Sequence, residues 1–225
     1  MARYSAFVFF LVMCLSAQGQ SNRYIVSFKD KNNSPFSVSE PEKYLSERAI
    51  TRRIRNNVQV VTADLPVNAA YVSQVKATGA TTFFTSRWMN AVLVEATPAQ
   101  IGTIMGFSCV SNAEMVAPGK KLIGGRIKTV KQKNSTASST ATTAQLHMVG
   151  LDSMHAEGFL GEGMIISFFD GGFPGVDAAA PFQPIFAENR LMLTQDFVAN
   201  SGNVYQYDKH GTEVFSIVAG LKSAA

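Results

Sequence analysis

Residues 81–116 read TTFFTSRWMNAVLVEATPAQIGTIMGFSCVSNAEMV, and this stretch decides the fold. Two runs in it, Thr81–Thr85 and Ala91–Ala96, have the length and composition of β-strands. Thr97-Pro98 then supplies an N-cap residue with proline at the first helical position. The helix that follows has an apolar face, and Val110–Val116 can form a last strand. The stretch therefore predicts two strands, a helix and a further strand.

The sequence before this stretch predicts one more strand and two helices. Tyr24–Lys29 alternates as a strand does, while Glu40–Arg55 and Pro66–Thr78 have apolar residues at helical spacing. Gly79 stands where a helix ends in a left-handed residue. With Glu40–Arg55 set aside as an inserted helix, the order is β-α-β-β-α-β, the ferredoxin-like α/β pattern. Because that fold hosts many functions, the order alone does not indicate an activity.

Charge is distributed unevenly along the chain. The 225 residues include 20 Lys+Arg and 16 Asp+Glu, a formal net charge of +4, and the 46% apolar content excludes collagen-like and fully disordered chains. Residues 118–133 hold six basic and no acidic side chains, whereas residues 134–225 hold three basic and nine acidic ones. The arginine-rich helix predicted at 48–55 would be typical of a nucleic-acid-binding surface. Nearby glutamates can pair with those arginines, however, so we expect no nucleic-acid partner.

Residues 1–19 predict a secretory signal peptide. Arg3 precedes an apolar run from Ala6 to Leu15, which is shorter than the roughly 20 residues of a membrane helix. Ala17-Gln18-Gly19 fits the small-residue cleavage site of a leader. We therefore expect a secreted, periplasmic or cell-surface protein with no membrane segment after cleavage. Cys109 would then be the one remaining cysteine, which excludes an intrachain disulfide and favours a buried thiol.

Residues 118–143 predict an exposed, mobile linker, because a basic stretch is followed by a run of Ser, Thr and Ala without large apolar residues. The linker could simply join two domains. It could also be the place where a protease separates a pro-region from a mature domain, since cleavage concentrates in exposed, flexible backbone.

Two constellations in the last third of the chain carry candidate chemistry. Met164–Phe169 (MIISFF) predicts a strand of a parallel sheet covered on both faces, and it ends at Asp170 and two glycines. A carboxylate at such a strand end lies where open α/β sheets place active sites, although it could also cap a turn. His210 opens a predicted helix that ends at Gly220. A lone histidine there is more often structural, so each constellation alone is a modest signal.

Together these constellations resemble the subtilisin-like serine proteases. In that family an Asp at a strand end is followed by His-Gly-Thr, here His210-Gly211-Thr212, opening a helix that ends Val-Ala-Gly, here Val218-Ala219-Gly220. The leader and the α/β module fit as well, since the family is commonly exported with a pro-domain of this type. The segments LSERAITRR, DLPVNAAYV and TSRWMNAVLVEA are most similar to secreted members from Bacteroidetes-type bacteria.

The resemblance implies a domain organisation and a reaction. It divides the chain into a signal peptide (1–19), a ferredoxin-like pro-domain (20–117), a basic linker (118–143) and the N-terminal part of a subtilisin-like parallel-sheet α/β catalytic domain (144–225). In a serine endopeptidase His210 would accept the serine proton, and Asp170 would hold the imidazole in its productive tautomer. The implied partners are protein or peptide substrates and an intramolecular contact between pro-domain and catalytic domain.

The chain departs from the family in its nucleophile. The family places the serine in a Gly-Thr-Ser-x-Ala segment well after the histidine helix, and Ser223-Ala224 is not preceded by Gly-Thr. Smaller departures are Gly171, where Ser or Thr is usual, and Glu213, where His is frequent. We therefore expect a pre-pro fragment that is inactive as given, and we expect residues 144–225 alone to be poorly folded or prone to aggregation.

The alternative function is non-catalytic. The pro-domain product could inhibit a separate subtilisin-like protease or assist its folding, with Glu114–Ala117 as the tail that occupies the cleft. No cofactor is identified from the sequence. Calcium is possible by family resemblance without assignable ligands, and His147, His155 and His210 lack metal-ligand spacing.

Overall fold

The four predicted strands pair into one antiparallel sheet in the computed structural model, which describes residues 19–119 and 139–221. The strands are β1 (Asn22–Phe28), β2 (Thr81–Ser86), β3 (Ala91–Ala96) and β4 (Val110–Pro118), in the order β2-β3-β1-β4. Strand β1 pairs on both sides, because Tyr24 lies opposite Val94 of β3 and opposite Met115 of β4. The mixed α/β character predicted for this part of the chain is confirmed.

Three helices accompany the sheet: α1 (Glu47–Arg55), α2 (Ala69–Ala77) and α3 (Pro98–Met105). The Thr97 hydroxyl accepts a hydrogen bond from the Gln100 N–H at 3.3 Å, and the Gln100 side chain accepts one from the Thr97 N–H at 2.8 Å. This capping box fixes the start of α3 where the sequence predicts it. Gly79 follows α2 with φ +84°, the left-handed conformation expected there.

The predicted helix Glu40–Arg55 is wrong at its beginning. The chain forms a short 3₁₀ turn at Pro41–Lys43, and α1 begins only after Ser46, whose hydroxyl accepts a hydrogen bond from the Ala49 N–H at 3.3 Å. The break has a local cause, because a serine competes for backbone hydrogen bonds inside a helix but satisfies free N–H groups at its start.

The core of this first unit lies between the sheet and helices α2 and α3. Its largest fully buried side chains are Val26, Val75, Val92, Val94 and Ile104. Alternation along β1 and β3 places their valines on this face, and Ile25 and Leu93 on the other. Cys109 is buried at the margin of the core as a free thiol, as expected.

A buried carboxylate anchors α1 to the rest of the unit. Asp64 is 3% exposed and forms an ion pair with Arg53 of α1. Its second oxygen accepts a hydrogen bond from the Val61 N–H at 3.0 Å. The Lys31 ammonium donates to the carbonyls on either side of Asp64, those of Ala63 (2.8 Å) and Leu65 (2.6 Å). The loop between α1 and α2 is thus held by charge-assisted bonds.

The second unit has four helices in its described part: α4 (Ser139–Met148), α5 (Leu151–Ala156), α6 (Gln183–Ala187) and α7 (His210–Ala219). Helices α4 and α5 are separated at Gly150, whose φ is +68°. Helix α4 begins at Ser139, within the predicted linker. The predicted signal peptide, except for Gly19, and residues 120–138 of the linker lie outside the described residues.

The predicted strand at Met164–Phe169 is also wrong. No parallel sheet is observed within residues 139–221, and Phe169 is 81% exposed. A strand is held by hydrogen bonds from its neighbours, and the described part of this unit offers this segment no neighbouring strand. The small core of the unit is built instead around Val176, Phe182 and Ile185.

Across both described ranges, no helix has the length and apolar character needed to cross a membrane.

We expect Asp64→Ala to lower the free energy of unfolding of the first unit by about 3 kcal/mol, because it leaves the half-buried Arg53 cation without its partner. Amide hydrogen exchange of β1 and β3 measures this change in the full chain. Glu42→Ala removes an exposed carboxylate as the control and should change the value by less than about 0.5 kcal/mol. If the amides of β1 and β3 exchange at the same rate in Asp64→Ala as in Glu42→Ala, the buried ion pair does not stabilise the fold.

Candidate active site

The structure brings Asp170 and His210 into direct contact although 40 residues separate them. The Nδ1 atom of His210 lies 2.8 Å from Oδ2 of Asp170. The Asp170 side chain is 18% exposed, whereas that of His210 is 67% exposed. This arrangement leaves Nε2 as the imidazole nitrogen that Asp170 does not engage. A carboxylate behind the ring and an accessible second nitrogen are what a general base requires.

Backbone hydrogen bonds orient both partners. The second oxygen of Asp170 accepts a hydrogen bond from the Gly171 N–H at 2.7 Å. The N–H of His210 donates to Oδ1 of Asp208 at 2.9 Å, which fixes the first residue of α7. Asp208 is not among the residues predicted from the sequence to belong to the site. Its position two residues before a helix start is nevertheless the spacing of an Asx turn, and that spacing could have indicated it.

Glycines allow the two segments to approach so closely. Gly211 is buried, and a Cβ atom there would overlap the Gly172 carbonyl oxygen and lie 2.9 Å from Cβ of Asp170. A Cβ atom on Gly172 would likewise overlap the Gln206 carbonyl oxygen. Close packing between the two segments therefore requires glycine at positions 172 and 211.

An aromatic cluster supports the helix that carries His210. The ring of Phe215 in α7 packs edge-on against Phe168 with 4.9 Å between ring centroids. It also contacts Phe173 at 6.2 Å and Phe182 at 5.6 Å. The Thr212 hydroxyl donates to the Pro174 carbonyl at 2.9 Å. Residues flanking Asp170 thus hold the first turns of α7 through apolar contacts and one hydrogen bond.

The two site residues shift each other's protonation. The hydrogen bond to Asp170 and the charge of that carboxylate raise the pKa of His210 above its ordinary value of 6.5. Burial raises the pKa of Asp170, but the Gly171 N–H and His210 lower it by more, so the net pKa lies below its ordinary value. The pair therefore favours an ionised carboxylate beside an imidazole that gains a proton readily.

The other two histidines do not join this site. His147 makes its own contact with Asp152, with 2.7 Å between Nδ1 and Oδ2, across the break between α4 and α5. Within residues 19–119 and 139–221, no three His, Cys, Asp or Glu side chains are grouped as a metal ion would require.

We expect Asp170→Asn to lower the pKa of His210 toward 6.5, because the neutral amide no longer stabilises the imidazolium. NMR titration of the three histidine rings in the full chain measures the effect. The pair should stabilise the fold at pH values below 6.5, and this contribution should disappear as the pH rises through the folded-state pKa of His210. Asp152→Asn is the matched control, since it should lower the pKa of His147 alone. An unchanged His210 titration in Asp170→Asn would mean that the contact is not formed in solution.

We expect Gly211→Ala to separate Asp170 from His210, since the added methyl group has no space against Gly172 and Asp170. The His210 titration should then resemble that of Asp170→Asn. Gly202→Ala serves as the control, because its Cβ atom would meet only the Thr194 hydroxyl, at 3.9 Å. A Gly211→Ala variant with the parental His210 pKa would contradict the close packing described above.

Comparison with known proteins identifies the family of the chain. A family described as the Peptidase S8 propeptide domain of Bacteroidota matches residues 23–139, just over half of the 225 residues. No curated protein and no solved structure matched. The match begins at the second residue of β1, includes the other three strands and ends at the first residue of α4. It implies the pro-region of a subtilisin-like protease precursor, and it suggests an exported one. The chain belongs to the Bacteroidota peptidase S8 propeptide family.

Proposed function

We propose that the chain is part of the inactive precursor of a subtilisin-like serine endopeptidase that is secreted or held in the periplasm or at the cell surface. In this proposal residues 20–117 are the pro-domain and residues 144–221 begin the catalytic domain. The observation that carries it is the 2.8 Å contact of Asp170 with His210 in a chain that also contains a peptidase S8 propeptide.

A ferredoxin-like topology for the pro-domain is part of the proposal. Strand order β2-β3-β1-β4, with every neighbouring pair antiparallel, supports it. Helices α2 and α3 follow β1 and β3 in sequence and share one core with the sheet. This is the split βαβ arrangement once α1 is taken as an insertion.

The proposed chemistry assigns His210 as general base and Asp170 as the group that orients it. The Nε2 atom of His210 would take the proton of a serine as the hydroxyl attacks a peptide carbonyl, and would return it to the leaving amine. Asp170 would stabilise the imidazolium that forms meanwhile. The contact through Nδ1 supports this division of roles, because it fixes the tautomer that presents Nε2 as the base.

The proposal requires a serine in a Gly-Thr-Ser-x-Ala segment, which residues 1–225 do not contain. Reading the gene beyond codon 225 is the first test. In a longer product with peptidase activity, Asp170→Asn should lower kcat by about 10⁴-fold and His210→Ala by at least as much. Asp152→Asn, the matched change in the other His–Asp pair, should leave kcat within about twofold. Full activity of His210→Ala would overturn the assignment.

A second function is favoured by the separate core of the first unit. With its own buried cluster, the pro-domain could act as an inhibitor or folding assistant of a subtilisin-like protease. The sheet face opposite α2 and α3 carries half-buried Ile25 and Leu93, flanked by Arg23 and Glu95. An apolar centre with a charged border is typical of a protein interface.

Inhibition of a related protease tests this second function. Residues 20–225 should inhibit a Bacteroidota peptidase S8 at submicromolar concentration, and Leu93→Asp should weaken the inhibition by about 100-fold because it buries a carboxylate in the interface. Ser73→Asp, which adds a carboxylate at an exposed position of α2 on the other side of the sheet, is the control and should have little effect. Absence of inhibition at high micromolar concentration would rule out the inhibitor role.

A further inference from the structure

The hairpin between β2 and β3 exposes two large apolar side chains at its tip. Trp88, the one tryptophan of the chain, is 75% exposed, and Met89 is 58% exposed. The Arg87 guanidinium lies 5.8 Å from the centre of the Trp88 ring. Neither apolar side chain contributes to the core of the unit. These two adjacent apolar side chains are therefore available to a partner.

The tip is braced rather than loose. The Lys31 ammonium donates to the Arg87 carbonyl at 2.7 Å. The Asn90 side-chain amide donates to the carbonyls of Phe28 at 3.1 Å and Asp30 at 2.8 Å. These bonds tie both sides of the tip to the end of β1. A tryptophan on a loop whose backbone is held in this way enters a partner's pocket without the cost of ordering the loop, which makes it a suitable anchor.

Hydrogen bonds of Lys31 and Asp64 also join the hairpin to α1. Besides the tip, Lys31 holds the carbonyls of Ala63 and Leu65, and Asp64 between them pairs with Arg53 of α1. The Arg87 guanidinium also donates to the Asp64 carbonyl, at 3.4 Å. The hairpin tip, the loop after α1 and α1 itself are thus connected through Asp64 and Lys31.

Further exposed residues lie on these connected elements. We use the name hairpin–helix surface for the following set: Trp88, Met89, Val58, Val61, Arg52 and Arg55. Val58 and Val61 in the loop are 52% and 51% exposed. Arg52 and Arg55 are exposed and three residues apart on α1, so they project from the same side of the helix. Tryptophan, methionine and arginine are the residue types enriched in protein interfaces.

The charges around this surface favour a protein partner over a membrane. Glu42 and Glu47 are exposed just before and at the start of α1, where they would repel anionic lipid headgroups. An acidic protein with an apolar pocket avoids this conflict, because its carboxylates can face Arg52 and Arg55 individually. The described part of the second unit shows the charge expected of such a partner, with nine Asp and Glu against two Arg and Lys in residues 139–221.

We propose that the hairpin–helix surface is a docking surface for an acidic peptidase S8 catalytic domain, separate from the sheet face that carries Leu93. This inference rests on the proposed function of the pro-domain. Arg52 and Arg55 accelerate the encounter with the acidic partner, and Trp88 prolongs the complex by filling an apolar pocket. The surface thereby selects acidic catalytic domains over basic ones.

The experiment measures association and dissociation rates of residues 20–225 with a secreted Bacteroidota peptidase S8 whose catalytic domain is acidic. Arg52→Glu should slow association about tenfold at 50 mM NaCl and much less at 500 mM, since salt screens exposed charges. Lys76→Glu is the matched control, because Lys76 is also an exposed cation in the last turn of a helix. It should change the association rate by less than about twofold.

The anchor is tested separately through the dissociation rate. Trp88→Ser should accelerate dissociation at least about 30-fold, whereas Trp88→Phe should restore most of the lifetime. Amide hydrogen exchange of β1 and β3 verifies that each variant retains its fold. Thermal unfolding provides an independent check on the Trp88 variants.

The outcomes separate this inference from the function on which it rests. If Leu93→Asp abolishes inhibition while Arg52→Glu and Trp88→Ser match the parent in both rates, the docking surface is refuted and the inhibitor role remains. If the parent chain does not inhibit the peptidase at all, both the docking surface and the inhibitor role are refuted. A blue shift of Trp88 emission with phosphatidylglycerol vesicles, but not with the peptidase, would replace the protein partner with a membrane.

Discussion

A β-strand persists only where neighbouring strands accept and donate its backbone hydrogen bonds, and this constraint governs both units of the chain. Strand β1 satisfies it on both edges, through β3 and β4, and the core of the first unit assembles on one face of the resulting sheet. Met164–Phe169 has an equally strand-like sequence but no neighbouring strand within residues 139–221. A strand-like sequence therefore becomes a central strand in one unit and a mostly exposed segment without strand pairing in the other.

The sequence predicts best those features that local chemistry determines. The Thr97-Pro98 start of α3, the left-handed Gly79 and the helix beginning at His210 all depend on residues within one turn, and all are found where expected. The break before α1 is local too, yet the apolar spacing of Glu40–Arg55 obscured the capping role of Ser46. Helix periodicity alone does not reveal where a helix starts unless the capping residues are also considered.

Features that depend on distant partners were not predictable from the pattern. Nothing local indicates that Lys31 binds three carbonyls from two other segments, or that Asp64 becomes a buried ion-pair partner of Arg53. The pairing of Asp170 with His210 was predicted only through resemblance to a known family. Its structural requirement, that Gly172 and Gly211 leave space for the two segments to touch, becomes visible only in three dimensions.

The two His–Asp pairs show why a raised histidine pKa does not by itself identify an active site. Both His147 and His210 bond a carboxylate through Nδ1, and in both the neighbouring carboxylate raises the pKa. The first pair joins residues five positions apart, so the local path of the chain at the α4–α5 break is enough to form it. The second pair joins residues 40 positions apart and needs the glycine contacts and the Phe215 cluster to form. A pair that the fold must assemble from distant segments, and whose ring remains accessible, is the better candidate for catalysis, because packing as well as charge holds its geometry.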